Sequence, residues 1–453
     1  MATIPKNVKL SATPQAIAKA VLGDNPEVFA NPPVIADTSE SVKALGDYIF
    51  TYSARQNAFL NALVNRIGYV LITSKLYDNP LRQFKKGILE FGETVEEIFV
   101  DLAKPFQFDP EKAETDIFKR EIPDVKAAYH TLNFQKFYKV TISNDELRQA
   151  FLSWQGIDNL IARIVDTLYT SLNYDEYLVT KYMIAINALN GNMATTTIAA
   201  LDKANADDFS IEARSVSNLL VEMSTKYNYA GVHTYTNKDD QYLFLTARGS
   251  AVIDVGSLAV AFNMDKAEFM GHTVVINSFS DIDSDRLALL FANDPNYRPL
   301  TDDEVAQLDK IGAVLVDRDW FMIFDHYINM TEQYNGEGLY WNYWLHAWRT
   351  FSVSPFANAV VFTMETPVVN SVTVSPATAT ATKGQQVQLN AVVDASGFAN
   401  KAVTWSSSSE LTTVSPSGLV TIGGTETAST VTITATSVFD NARSGSSVIT
   451  VTP

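Results

Sequence analysis

The side chains that most often carry chemistry are scattered through this 453-residue chain. Its histidines (His130, His233, His272, His326 and His346) lie far apart, with no HExxH pattern and no pair at helical spacing, so a zinc site is not expected. Asp281, Asp283 and Asp285 mimic the start of a calcium loop. Arg286 stands where that loop needs glycine and Ala292 where it needs glutamate, so a solvated turn is the better reading. There is no cysteine, hence no thiolate chemistry and no disulfide. Neither a phosphate-cradling glycine loop nor a nucleophile elbow is found. Asp302, Asp303 and Glu304 sit where a helix begins, a place that favours negative charge without any catalysis. The aromatic run from Leu339 to Trp344 could be a sugar platform, but aromatics serve buried contacts more often. No catalytic residue, cofactor or metal is expected. One cluster remains: Arg82, Lys85 and Lys86 form a dense basic group in an acidic chain. Either contact with carboxylates of a neighbouring subunit or plain solvation is the chemistry to expect of it.

The elements that would carry these residues can be read from periodicity. Leu132 to Ile142 alternates like a long strand, with its partner expected around Leu71 to Phe91. Between them, Val95, Ile98, Phe99 and Leu102 suggest an amphipathic helix over Glu93 to Lys104, and Asp109-Pro110-Glu111 a further helix start. A two-stranded arm is marginal alone in water and makes sense if it lies on something else. Ser143 to Glu146 has the form of a capping box, with Leu147, Phe151 and Trp154 following at helical spacing. Asp158 can start a helix whose face is Ile161, Ile164, Val165, Leu168 and Leu172. If it reaches Leu189 it spans roughly 45–50 Å, a beam more than a catalytic support. From Ala200 to Val316 the signals are mixed, as in an α+β domain. Leu243 to Leu245 and Thr273 to Ile276 look like strands, and Val252 to Phe262 like a helix. Ala313 to Val316, Trp320 to Phe324 and Ala359 to Phe362 look like further strands.

Composition narrows the class. With 46% hydrophobic and 19% charged residues the chain is foldable, and its length favours two or three domains. The net charge of −17, with lysines and arginines dispersed, argues against sequence-specific nucleic-acid binding. No signal-peptide pattern and no long apolar run is found, so a protein made in the cytoplasm is expected. Near Thr366 to Val369 the texture changes. Beyond it Lys383, Lys401 and Arg443 stand against Asp394, Glu410, Glu426 and Asp440, so the acidity belongs to the first region. Short alternating runs, such as Val372/Val374, Val387 through Val393, Val403/Trp405, Val431/Ile433/Ala435 and Ile449/Val451, are separated by turn formers. An immunoglobulin-like sandwich without the usual cysteine pair is expected, with Trp405 packed on aliphatic side chains.

Several segments together resemble the major capsid proteins of phi-29-type tailed phages. They include Asn79-Pro80-Leu81, Phe84-Lys85-Lys86-Gly87, Thr94 to Ile98, Arg120 to Lys126, Val314 to Asp317, Trp320 to Met322 and Gly338 to Tyr343. Ser352-Val353-Ser354 and Phe356 to Ala359 extend the likeness. The tail is similar to bacterial immunoglobulin-like domains of group 2, through Val372 to Pro376, Val403 to Ser408, Ser417 to Thr421 and Thr432 to Thr436. The resemblance implies an α+β fold of the Hong Kong 97 type over residues 1–365, followed by an all-β domain over 368–453. It implies an N-terminal arm at about 1–60, an extended loop at about 71–142 lying over a neighbouring subunit, a spine helix at about 158–189, an axial domain at about 200–310 and a peripheral domain. It further implies a homo-oligomer of pentamers and hexamers forming an icosahedral or prolate shell around double-stranded DNA, with a scaffolding protein and a portal as partners. The tail module also occurs in adhesins, so a cell-surface adhesin or surface-layer protein is the alternative. A carbohydrate-active enzyme with an accessory domain is a third reading.

Overall fold

The computed structural model describes residues 15, 18–19, 22–23, 26–36, 38–52, 54–55, 58–59, 79–89, 94–106, 108, 120, 125–143, 154–253, 272–292, 294 and 297–452, with the backbone alone for 154–166. In chain order these form α1 (Ser39–Phe50), β1 (Lys85–Ile88), β2 (Val95–Val100), β3 (Val125–His130), β4 (Phe134–Ser143), α2 (Trp154–Leu189) and β5 (Ala194–Thr197). Then come α3 (Ala206–Val221), β6 (Gln241–Thr246), α4 (Ala247–Val252), β7 (Thr273–Ile276), α5 (Ser284–Leu290), α6 (Asp302–Leu308), β8 (Ile311–Asp317), β9 (Phe321–Asn335), β10 (Tyr340–Val353) and β11 (Ala359–Thr363). The tail adds β12 (Val368–Ser375), β13 (Thr378–Thr382), β14 (Gln386–Gln388), β15 (Asn390–Ser396) and β16 (Val403–Ser407). It closes with β17 (Thr413–Val414), β18 (Leu419–Thr421), β19 (Thr430–Ser437) and β20 (Ser444–Thr452). The chain divides into two compact units: 1–94, 131–178 and 323–351, and 95–130, 179–322 and 352–453.

The first unit is a four-stranded sheet in the order β1-β9-β10-β4. β1 runs parallel to β9, and β10 runs antiparallel to β4 from Tyr340 opposite Ser143 to Arg349 opposite Phe134. The strand at 134–143 therefore pairs with the aromatic run; of the partner segment expected around 71–91, residues 71–78 and 90–91 lie outside the described residues. The short β1 lies at the other side of the sheet. Thr38 caps α1 by accepting from the Ser41 amide. Val42, Leu45 and Ile49 then share one face and pack with Leu168 and Leu172 of α2 and with Trp341, Tyr343 and Leu345 of β10. The 36 residues of α2 make a rod of about 54 Å.

The second unit has a five-stranded sheet ordered β5-β11-β8-β6-β7. β8 and β11 are buried along almost their whole length, as central strands covered on both faces are. Phe209, Ala213, Val216 and Leu220 recur every three or four residues along α3 and bury against Leu243, Leu315 and Phe362. Asp283 caps α5, so the aspartate-rich stretch is a capped turn. Thr301 and Glu304 form a reciprocal capping box at α6. The tail has its own core of Val372, Val374, Leu389, Val420, Ile433, Ala435 and Ile449, with Trp405 partly buried against it. The run 387–393 is two strands, β14 and β15, in different sheets, with the fully buried Leu389 between them.

Residues 95–100 are a strand, not the expected helix: β2 pairs antiparallel with β3, Val95 opposite His130 and Val100 opposite Val125. Val95, Ile98, Phe99 and Leu102 fit a helical stripe, but Val95/Glu97/Phe99 and Glu96/Ile98/Val100 also alternate, and pairing with β3 selects the second period. The further start at 109–111, the capping box at 143–146 and most of the helix-like reading at 252–262 lie outside the described residues.

Candidate functional site

Two features carry polar or apolar groups unusual enough to suggest a role. The first is built around Lys85. A short 3-10 turn, Arg82–Phe84, is anchored by buried Leu81 and Phe84 and by the Asn79 side chain, which accepts from the Leu81 amide at 2.9 Å. The turn delivers Lys85 into the sheet, where its Nζ lies 2.9 Å from Glu176 Oε2 of α2 and 2.9 Å from Asp325 Oδ2 of β9. Arg349 of β10 closes the ring, 2.7 Å from Asp325 and 2.6 Å from Glu176. Asn79 Nδ2 donates to the other Glu176 oxygen at 3.0 Å. Two cations and two carboxylates thus neutralise one another in a nearly dry interior, joining four elements. The sequence groups Arg82, Lys85 and Lys86 as contacts to a neighbouring subunit. In the structure Lys85 meets two carboxylates of its own chain, and Arg82 and Lys86 are at the surface.

The second feature is the β2–β3 ribbon. Its inner face is fastened to the body of the second unit. Glu97 accepts from the Ser354 hydroxyl at 2.8 Å and lies 3.2 Å from His130 Nε2, while His130 Nδ1 is 2.8 Å from Ser352 Oγ. Phe99 stacks on Phe356 with ring centres 5.5 Å apart, and Lys126 donates to the Ala230 carbonyl at 2.8 Å. Just beyond β2, Asp101 pairs with His233 at 2.7 Å. The Leu102 amide, and after it His233, holds the Asp101 carboxyl below its ordinary value. The outer face carries Ile98, Val100, Val125 and Tyr129, each more than half exposed, and Leu102, Phe106 and Phe108 continue the exposure. Clustered apolar surface of this kind marks a place where something else packs.

Residues 19–363 match the family of Phi29-like phage major capsid proteins, and residues 368–444 match the bacterial Ig-like domain of group 2. The major capsid protein of Bacillus phage GA-1 is 36% identical over 386 residues, covering 83% of this chain and 75% of that protein. That of Bacillus phage B103 is 36% identical over 402 residues, covering 86% and 82%. The chain belongs to the family of Phi29-like phage major capsid proteins. A capsid structure from Staphylococcus phage Andhra superposes with a TM-score of 0.51 at 16% identity, covering 65% of this chain and 86% of that one. The fold is accordingly the α+β capsid fold expected from the sequence, with a β-rich tail. As a major capsid protein the chain has its place in the virion shell. The adhesin alternative is not favoured, because the module it shares with surface proteins accounts only for the tail.

In this capsid protein the residues missed by sequence reasoning are Glu97, His130, Ser352 and Ser354 on the ribbon's seat, and Glu176, Asp325 and Arg349 around Lys85. A period-two reading of 95–100 would have paired Glu97 with Phe99 on one face. Nothing local could have joined Glu176, Asp325 and Arg349, which are separated by long stretches of chain. Among the described residues no three His, Asp or Glu side chains come together to hold a metal ion. Nor is any helix there long and apolar enough to cross a membrane.

Proposed function

We propose that this chain assembles with copies of itself, as pentameric and hexameric rings, into the icosahedral or prolate head that encloses the phage double-stranded DNA. The observation that carries the proposal is the ribbon, which seats a polar face on its own chain and leaves Ile98, Val100, Val125 and Tyr129 uncovered. A neighbouring copy covers that face in a symmetric array, where each contact recurs at every equivalent position. In this reading residues of about 71–142 act as the extended loop, α2 as the spine, about 200–310 as the axial domain, and the first unit's sheet as part of the peripheral domain. Arg82 and Lys86 contribute weaker polar contacts to a neighbour.

Assembly takes place in the host cytoplasm around a scaffolding protein and a portal. The net charge of −17 suits a wall that encloses DNA without gripping it. The protein has no catalytic function. Ser352, His130 and Glu97 lie in series like parts of a proton relay, but His130 is 3% exposed and both ring nitrogens are engaged in fastening the ribbon.

The test is expression of the chain, with scaffolding protein, beside the variant carrying Ile98→Asp and Val125→Asp. Closed shells from the parent, and folded but unassembled subunits from the variant, are the expected pair of results. Shells formed equally well by both would remove the ribbon's outer face from the proposal.

A further inference from the structure

We infer that the tail is a keyed cover, and not a tethered module: its 397–401 loop caps the C-terminus of α2 and the free edge of the five-stranded sheet. Helix ends leave their last carbonyls without intrahelical partners. Here Lys401 Nζ donates to the Leu189 carbonyl at 2.8 Å, a cation at the end of the helix where the dipole favours one. Gly191 follows with φ +70, and a Cβ there would come within 2.4 Å of the Ala399 carbonyl oxygen and 2.9 Å of Asn400 Cα. The position therefore needs glycine twice, for its backbone conformation and for the closeness of the tail.

A few residues on, β5 is an outer strand of its sheet. Its Thr195 hydroxyl donates to the Phe398 carbonyl at 2.8 Å. The loop is shaped for this seat. Phe398 is 2% exposed with φ +64, Ala399 is fully buried, and Gly397 is met by the Thr366 carbonyl oxygen at 2.5 Å from an added Cβ. The Thr366-Pro367 junction, where the texture of the sequence changes, is thus folded back onto the loop it precedes.

The consequence is functional. An uncovered sheet edge is a template for pairing with another chain, a hazard for a protein that packs against many copies of itself. The tail sits against that edge through Thr195 and fixes the helix end through Lys401, so it is held in one orientation.

Hydrogen exchange read by mass spectrometry on the full chain tests this without requiring shells, so its outcome is separate from that of the capsid proposal. Gly191→Ala and Lys401→Ala should each speed exchange at 189–197 and 396–401 about tenfold. Gly231→Ala is the control, since Gly231 has φ +62 but its added Cβ meets nothing within 4 Å. It carries the backbone strain alone and should leave both segments protected. The inference fails if these segments exchange in the parent like open loops, or if Gly191→Ala and Lys401→Ala behave like Gly231→Ala.

Discussion

The first unit and the tail both bury carboxylates, and they handle them in opposite ways. In the first unit Glu176 and Asp325 face Lys85 and Arg349, so charge is answered by charge. In the tail Glu426 is buried with no cation in its hydrogen bonds. It accepts from the hydroxyls of Ser409 and Thr412 and from the amides of Thr427 and Ala428. Those hydroxyl bonds, Thr412 first, hold its pKa down to about 2. A third carboxylate, Glu332 on β9, has neither kind of answer: its Oε2 is buried without a hydrogen-bond partner, and burial pushes its pKa up to about 7. Partnership, more than depth, decides whether a buried acid stays ionised.

The largest effect should come from breaking the ion-pair ring. Lys85→Met keeps the bulk but leaves two buried carboxylates to a single arginine, and should cost about 3–5 kcal/mol in urea unfolding of the subunit. A loss below about 1 kcal/mol, the scale of an exposed pair, would mean that water reaches the ring.

Glu426→Gln comes next. The native pKa lies below the ordinary carboxyl value of 4.5, so its stabilisation is present above that value and is lost as pH falls toward about 2. The parent's thermal midpoint for the tail should decline over that window, and the glutamine variant should start lower and decline less. Equal slopes would show that other groups set the acid response.

Glu332→Gln should be the smallest, with the opposite sign. Its native pKa is raised, so the parent loses stability as pH climbs from 4.5 through about 7, and the variant does not. At pH 8 the variant should be more stable by on the order of 1 kcal/mol, allowing for partial exposure of the side chain. A destabilised variant at that pH would mean the carboxylate has a partner in solution.

Parts of this arrangement were legible beforehand. The helical face through Leu168 and Leu172 pointed to α2, and the alternation of 132–142 to β4, because each pattern is long and local. Tail strands showed through their alternating valines and turn residues. A helical period of about 3.6 residues and a strand period of two compete over a stretch as short as 95–100, and there the choice rests on β3, some thirty residues away. The pairing of 134–143 with 340–349 was missed for a similar reason: it is non-local. Lys85 looked like a surface cation because sequence shows a cluster's charge but not the distant carboxylates folded onto it.

The central claim, that the chain builds a shell through the uncovered face of its ribbon, is tested most directly by electron cryomicroscopy of particles assembled from the purified chain with its scaffolding protein. The account predicts closed shells in which Ile98, Val100, Val125 and Tyr129 are covered by a neighbouring copy. Shells that leave those four side chains facing solvent, or a chain that stays monomeric under all such conditions, would contradict it.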